Sequence, residues 1–398
     1  MVWLKAHVFV PKGRYMRPLF CSASFRIGSV AVVAAVLFSV IPQASAHHSG
    51  APHYDLEKKI TVKGTVTKFE FVNPHAYVFF DVTGADGKKT PWRCEMAARV
   101  SLARNGWTQE TFTPGMAITI TGSPARREDN VCVMSSYIRA DGKEFSTRDV
   151  LTPEGARAPQ FITDAGNRPA RLANGQPNIA GDWLAATGPG GAGRGAPPAG
   201  AAPGGTPGGP PAAGKTGRGP GGGLQLTAEG EALLKKYDGR YDDPSLKCSI
   251  SSIFWGWTHD QHVNKITQSD KEVVLTYGYM DYVRTIRLNS QHPKTIKPSV
   301  GGDSIGHWEG DTLVVDTIGF EGGTLTPASG NPYSDQMHAE ERFTFDPKAL
   351  TLTRSYKAQD PKLWKTEYSG SDVMRLSAEP HVPYACKELS GKNNIRPN

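Results

Sequence analysis

Eleven histidines are scattered over 398 residues, and three of them stand where nitrogen ligands for a metal would be wanted. His47 and His48 follow Ala44-Ser45-Ala46, and His75 closes Asn73-Pro74-His75. Removal of a leader after Ala46 leaves His47 as the chain terminus. Its α-amine, with a pKa of about 7.7–8.0, and its imidazole then form a chelating pair. A distant imidazole completes a T-shaped three-nitrogen set, a donor set that favours Cu(II), with zinc as the other candidate ion. His75 is the expected third ligand, because Pro74 restricts the local backbone and presents the next side chain from a turn. His48 and His53 are further candidates, and Glu95 is expected as the outer acceptor that orients a ligand imidazole. The alternative is that histidines at a chain end are simply solvated.

A second polar group lies late in the chain: His307, Asp311, Asp316, His338, Glu340 and Glu341. Asp316 interrupts the apolar run Leu313-Val314-Val315, so it should face solvent, a partner such as Arg342, or a cavity. His307, Asp316 and His338 are the candidate acid–base residues of a secreted enzyme, a hydrolase or isomerase. The alternative reading makes the acids turn formers and sets Glu340 and Glu341 in surface ion pairs with Arg342. His259 and His262 face opposite sides if they lie on a strand. Phe254, Trp255 and Trp257 are expected to pack a barrel end or line a ligand mouth. No G-x-S-x-G elbow, P-loop, H-E-x-x-H or C-x-x-C-H motif occurs.

The elements that position these residues begin with an address label. Residues 1–46 carry Lys5, Lys12, Arg14, Arg17 and Arg26, no acid, and an apolar run over 27–41. That is the pattern of a Sec-type signal peptide cleaved after Ala46, with Met1 or Met16 as the start. It directs the protein to the periplasm or outside the cell. The apolar run is shorter than the roughly 20 residues of a membrane span, so no stable insertion is expected after cleavage. The whole chain has 45 basic and 38 acidic residues, net +7. Without the five leader cations the balance is 40 against 38, which implies no nucleic-acid partner. Four cysteines then remain, and in an oxidising compartment Cys94–Cys132 and Cys248–Cys386 are the favoured pairs.

Residues 188–223 hold 16 Gly and 8 Pro without a strict period, the composition of a disordered linker. It follows a connecting segment, 151–187. Before them, 47–150 shows strand patterns at 60–71, 76–83, 90–96, 116–122 and 131–140, with a helical stretch at 97–105. Five strands with a helix after the third is the order of an OB-like barrel, with a small sandwich as the alternative. After the linker, Thr227 caps a short helix over 226–238. Eight strand patterns follow within 224–390: 263–269, 273–279, 283–288, 304–308, 312–318, 340–345, 350–356 and 364–369. They predict an antiparallel meander closing into a lipocalin-like barrel, which at this size can hold a small apolar ligand. Residues 391–398 are a tail.

His47-His48-Ser49, Val72-Asn73-Pro74-His75, Trp92 and Glu95 resemble a family of exported bacterial proteins of unassigned function, over about 47–148. Asn178 to Trp183, the run Ser304-Ile-Gly-His-Trp-Glu-Gly-Asp-Thr-Leu-Val-Val-Asp316, and Ser334 to Arg342 resemble a second uncharacterised exported family. Neither resemblance implies an activity. The chain therefore reads as an all-β exported protein and a binding module, with copper or zinc at the first domain and a small ligand in the second. The secreted enzyme and an oligonucleotide- or glycan-binding OB-like domain are the alternatives. Against the last, residues 47–150 carry 14 basic and 12 acidic side chains, too even a balance for strong phosphate binding.

Overall fold

The computed structural model describes residues 53–139, 141–147, 149, 151, 161–186, 223–259 and 262–388. The expected leader, His47, His48 and the Gly/Pro-rich segment lie outside the described residues.

The first domain is built from β1 (Ile60–Glu70), β2 (Tyr77–Thr83), β3 (Lys89–Glu95), α1 (Arg99–Arg104), β4 (Ala117–Pro124), β5 (Val131–Ile138) and β6 (Glu144–Ser146). The sheet runs β3-β2-β1-β4-β5-β6, and a further β3–β5 pairing closes five strands into the expected barrel. An odd ring cannot be antiparallel throughout, since each antiparallel step reverses the chain; one parallel seam is required. That seam is β3–β5, and Cys94 is in register with Cys132 across it. The two are disulfide-bonded and fully buried. β1 gives its first half to β4 and its second half to β2. A bulge between Val66 and Lys68 bends it at the changeover. Gly64 is needed there, since a Cβ would lie 2.5 Å from the Asp81 carbonyl oxygen. Leu102 of α1 closes the core with Val66, Val78, Phe80, Ile120, Trp107 and Phe112.

The second barrel has nine strands. They are β7 (Gly181–Ala185), β8 (Asn264–Gln268), β9 (Glu272–Thr276), β10 (Val283–Leu288), β11 (Asp303–Glu309) and β12 (Thr312–Ile318). After the small hairpin β13 (Gly323–Thr324) and β14 (Pro332–Tyr333) come β15 (His338–Asp346), β16 (Thr351–Gln359) and β17 (Tyr368–Leu376). The ring runs β10-β11-β12-β15-β16-β17-β7-β8-β9, and β10–β11 is its parallel pair, for the same reason of parity. The ninth strand is β7, within the segment read from sequence as a connection. It pairs with β17 and β8, so the barrel takes a strand from each side of the Gly/Pro-rich segment. The last predicted strand also moves, from 364–369 to Tyr368–Leu376: Trp364 is buried in the turn before it, and Ser369, Gly370 and Ser371 mask the alternation.

α2 (Ala228–Lys236) is capped by Thr227, whose hydroxyl accepts from the Gly230 amide at 3.2 Å. α3 (Gly239–Asp242) is a single turn. α4 (Ile253–Thr258) is buried along Ile253, Phe254, Gly256 and Trp257. Trp257 packs edge-on against Tyr277 and Phe343, among the inward side chains of the barrel. Burial of such a side chain contributes about 2–3 kcal/mol. No helix among the described residues is long and apolar enough to cross a membrane.

Residues 378–388, after β17, form a strap that returns to the first barrel. The Lys387 amide donates to the Asn73 carbonyl at 2.9 Å, and Asn73 Nδ2 donates to the Tyr384 carbonyl at 2.6 Å. Cys386 of this strap is disulfide-bonded to Cys248.

Candidate functional site

His75 follows the cis Asn73–Pro74 bond in the turn between β1 and β2. Its Nδ1 lies 3.1 Å from Glu95 Oε1, at the end of β3, and 3.3 Å from the Met96 carbonyl. Both contacts use the same ring nitrogen, so neither engages Nε2. Glu95 Oε2 accepts from the Tyr54 hydroxyl at 2.7 Å and from the Tyr77 hydroxyl at 3.1 Å. Burial, followed by the Glu95 carboxylate, pushes both phenols well above their ordinary range. Both therefore stay protonated donors at physiological pH, and the carboxylate is held as an acceptor for the imidazole.

The backbone explains why these groups meet. Register pairs Tyr77 with Glu95 across β2–β3. Tyr54 arrives from the other side, as residues 53–55 pair with the end of β4: Asp55 N donates to Pro124 O, and Arg126 N to His53 O, both at 2.9 Å. Residues 53–55 are thus anchored beside the carboxylate that contacts His75. The turn itself is fixed from within, since Asn73 is buried and its Oδ1 accepts from the Val100 amide. Among the described residues, no group of three or more His, Cys, Asp or Glu side chains is arranged to hold a metal ion.

The expected acid–base trio is divided. Asp316 and His338 come together, with His338 Nε2 2.5 Å from Asp316 Oδ1. His307 sits further along β11 and contacts Glu309 at 3.2 Å, while Glu309 pairs with Arg342. His292, from the crossover between β10 and β11, takes the place that sequence reading offered to His307. Its Nε2 lies 3.0 Å from Asp316 Oδ2 and its Nδ1 2.6 Å from Asp303 Oδ2. Arg287 ends the row, 2.7 Å from Asp303. Partial burial raises the Asp316 carboxyl, but the bonds to His338 and His292 outweigh it and leave it below the ordinary value. The Arg287 hydrogen bond, opposed by burial and helped by His292, does the same for Asp303. Asp311 lies elsewhere, paired with Arg171 at the surface.

Glu341 corrects the sequence reading more sharply. It is not a surface partner of Arg342; strand alternation turns it inward, where it is fully buried. Its Oε2 lies 2.5 Å from Arg284 Nη2, an ion-pair contact without hydrogen-bond alignment, and its Oε1 accepts from Arg354 at 3.3 Å. Arg354 also binds Asp372 at 2.6 Å and donates to the Ile253 and Phe254 carbonyls of α4 at 3.0 and 3.1 Å. Arg284 binds the Ser304 and Thr317 hydroxyls at 2.8 and 2.7 Å. Burial alone would lower both arginines, but Glu341 facing Arg284 and Asp372 facing Arg354 hold them above their usual range. Burial raises the Asp372 carboxyl in spite of Arg354. Two cations and two anions thus form a neutral interior layer that fixes α4 in the barrel.

His259 and His262 make ring contacts, His259 with Trp255 at 4.5 Å and His262 with Tyr384 at 4.6 Å. Trp257 belongs to the barrel interior, whereas Phe254 packs in a separate cluster with Leu226, Leu325, Tyr333 and Trp364, which lie outside the barrel strands.

Comparison with known proteins adds one finding. A family of unknown function, DUF6152, matches the chain over residues 34–133, a stretch that holds Asn73, His75 and Glu95. No curated protein and no solved structure matches the chain. The match stops within β5, before the second barrel.

Proposed function

We propose that this is an exported metal-binding protein, in which His75 shares a copper or zinc ion with the histidines at the processed N-terminus, His47 and His48. The observation that supports this most directly is Glu95. It engages His75 through Nδ1 and receives the hydroxyl of Tyr54, seven positions after His47. A carboxylate on one ring nitrogen orients an imidazole and raises its basicity as a ligand through the other. Seven extended residues span at most about 25 Å, so the terminus is tethered within reach of His75. The bound ion would supply Lewis acidity or redox chemistry; the chain's own part is to hold and orient the imidazole. The reading includes no apolar ligand for the second barrel, because Trp257 and four charged side chains lie in its interior.

The test is calorimetric titration of protein beginning at His47 with Cu(II) and with Zn(II). One equivalent should bind, and Glu95→Gln should weaken binding by about 10–100-fold. His75→Ala should weaken it further, as should one extra residue before His47. Absence of binding by correctly processed protein would overturn the proposal.

A further inference from the structure

We propose that Cys248–Cys386 is a thiol–disulfide exchange site for a dithiol reductant, and that its opening releases the strap that ties the second barrel to the Asn73–His75 turn. This inference goes beyond the metal reading and does not depend on it.

The two disulfides differ in what surrounds them. Cys94 and Cys132 are 0% exposed and lie in register inside a closed barrel. Cys248 and Cys386 are both only half-buried. Exchange requires an attacking thiolate to reach a sulfur, and cationic neighbours favour the thiolate that leaves. Lys247 precedes Cys248 and Lys387 follows Cys386, both of them exposed. Cys248 and Ala385 also have left-handed backbones, φ 55° and 51°, which residues other than glycine rarely adopt. The crosslink keeps both segments in place.

Among the described residues, the other holds of the strap on the second barrel come before Cys386: Tyr384 is buried with Ile250, Tyr279 and Met280 and makes ring contacts with Tyr279 and His262. Asp281 accepts from the Tyr384 and Ala385 amides at 2.8 and 3.0 Å, and His381 Nδ1 lies 2.7 Å from the Val263 carbonyl. On its other side it grips the first barrel at Asn73, with Lys387 Nζ 3.2 Å from Glu70. The residue that the crosslink positions is therefore the neighbour of the one that binds the turn.

The chemistry balances. One thiolate of the dithiol attacks a protein sulfur, the S–S bond breaks, and the other cysteine leaves as a thiolate that takes up a proton. The second thiol of the reductant then displaces the first protein sulfur. The protein gains two electrons and two protons, and the dithiol becomes a disulfide.

The experiment uses the processed full chain, metal-free, with dithiothreitol, timed alkylation and peptide mass spectrometry, alongside amide exchange. Cys248 and Cys386 should become alkylated on the order of 100-fold faster than Cys94 and Cys132 while the protein stays folded. In that state the Lys387 amide should exchange at least about tenfold faster. The Cys248→Ser/Cys386→Ser protein should show the same exchange without reductant. Alkylation of all four cysteines together, or of Cys94 and Cys132 first, would overturn the proposal. So would unchanged protection of Lys387 after the second pair has opened. A failure of metal binding would leave these readouts unaffected.

Discussion

The Tyr54 hydroxyl donates to Glu95 Oε2 over 2.7 Å, joining residues 41 positions apart in the chain. Tyr54 precedes the first strand and Glu95 ends the third, so this bond ties Tyr54 to the carboxylate that contacts His75.

Removing the two ends of that bond should have unequal effects. Tyr54→Phe loses one hydrogen bond to a charged acceptor and should cost about 1–2 kcal/mol in urea unfolding. Glu95→Gln removes the charge from three contacts, to Tyr54, Tyr77 and His75, and should cost more. Equal losses for the two variants would show that Glu95 is not the centre of the cluster.

Arg354 is the interior residue whose loss should be felt most. Arg354→Met leaves Asp372 and Glu341 buried with fewer counter-charges and frees two carbonyls of α4. Breaking such a buried network by removing one partner costs about 3–5 kcal/mol. Arg171→Met, which removes the exposed pair with Asp311, should cost at most about 1 kcal/mol and serves as the comparison. Thermal melts of the two proteins decide; a similar Tm for both would sink the assignment.

The row Arg287–Asp303–His292–Asp316–His338 predicts a pH dependence with a definite sign. The Asp303 and Asp316 carboxyls are held below their ordinary values in the folded protein. Their contribution is therefore fully present above the unfolded carboxyl pKa of about 3.9 and is lost as pH falls through the folded values. Asp303→Asn should be less stable than the parent protein at pH 7, by about 1–2 kcal/mol. The gap should shrink below about pH 4. Urea midpoints at neutral and acid pH measure it, and a gap that is constant with pH would rule this linkage out.

Much of the fold is written in short-range pattern. Alternation marks β10 and β12 to the residue, turn signals separate the hairpins, and Thr227 caps its helix as its chemistry requires. β7 escaped this reading because five residues before a long Gly/Pro-rich segment carry too little pattern; only pairing with β17 and β8 gives them a place. Arg284, Glu341 and Arg354 carry a signal in their strand phase. Each sits at an inward phase of its strand, as in Leu352-x-Arg354-x-Tyr356, where a charge demands a buried partner. His292 had none, since it lies in the crossover between two parallel strands.

The residue types and their local spacing alone marked the all-β character, favoured the two barrels and the two cysteine pairs, and offered Glu95 as an acceptor for a ligand imidazole. Each follows from period, turn chemistry or the count of available partners within one region. Tertiary structure alone decided that His292 replaces His307 beside Asp316, that Glu341 faces inward, and that the final strap grips Asn73. Those outcomes depend on ring closure and strand register, which bring together residues far apart in the chain and turn each side chain to one face or the other.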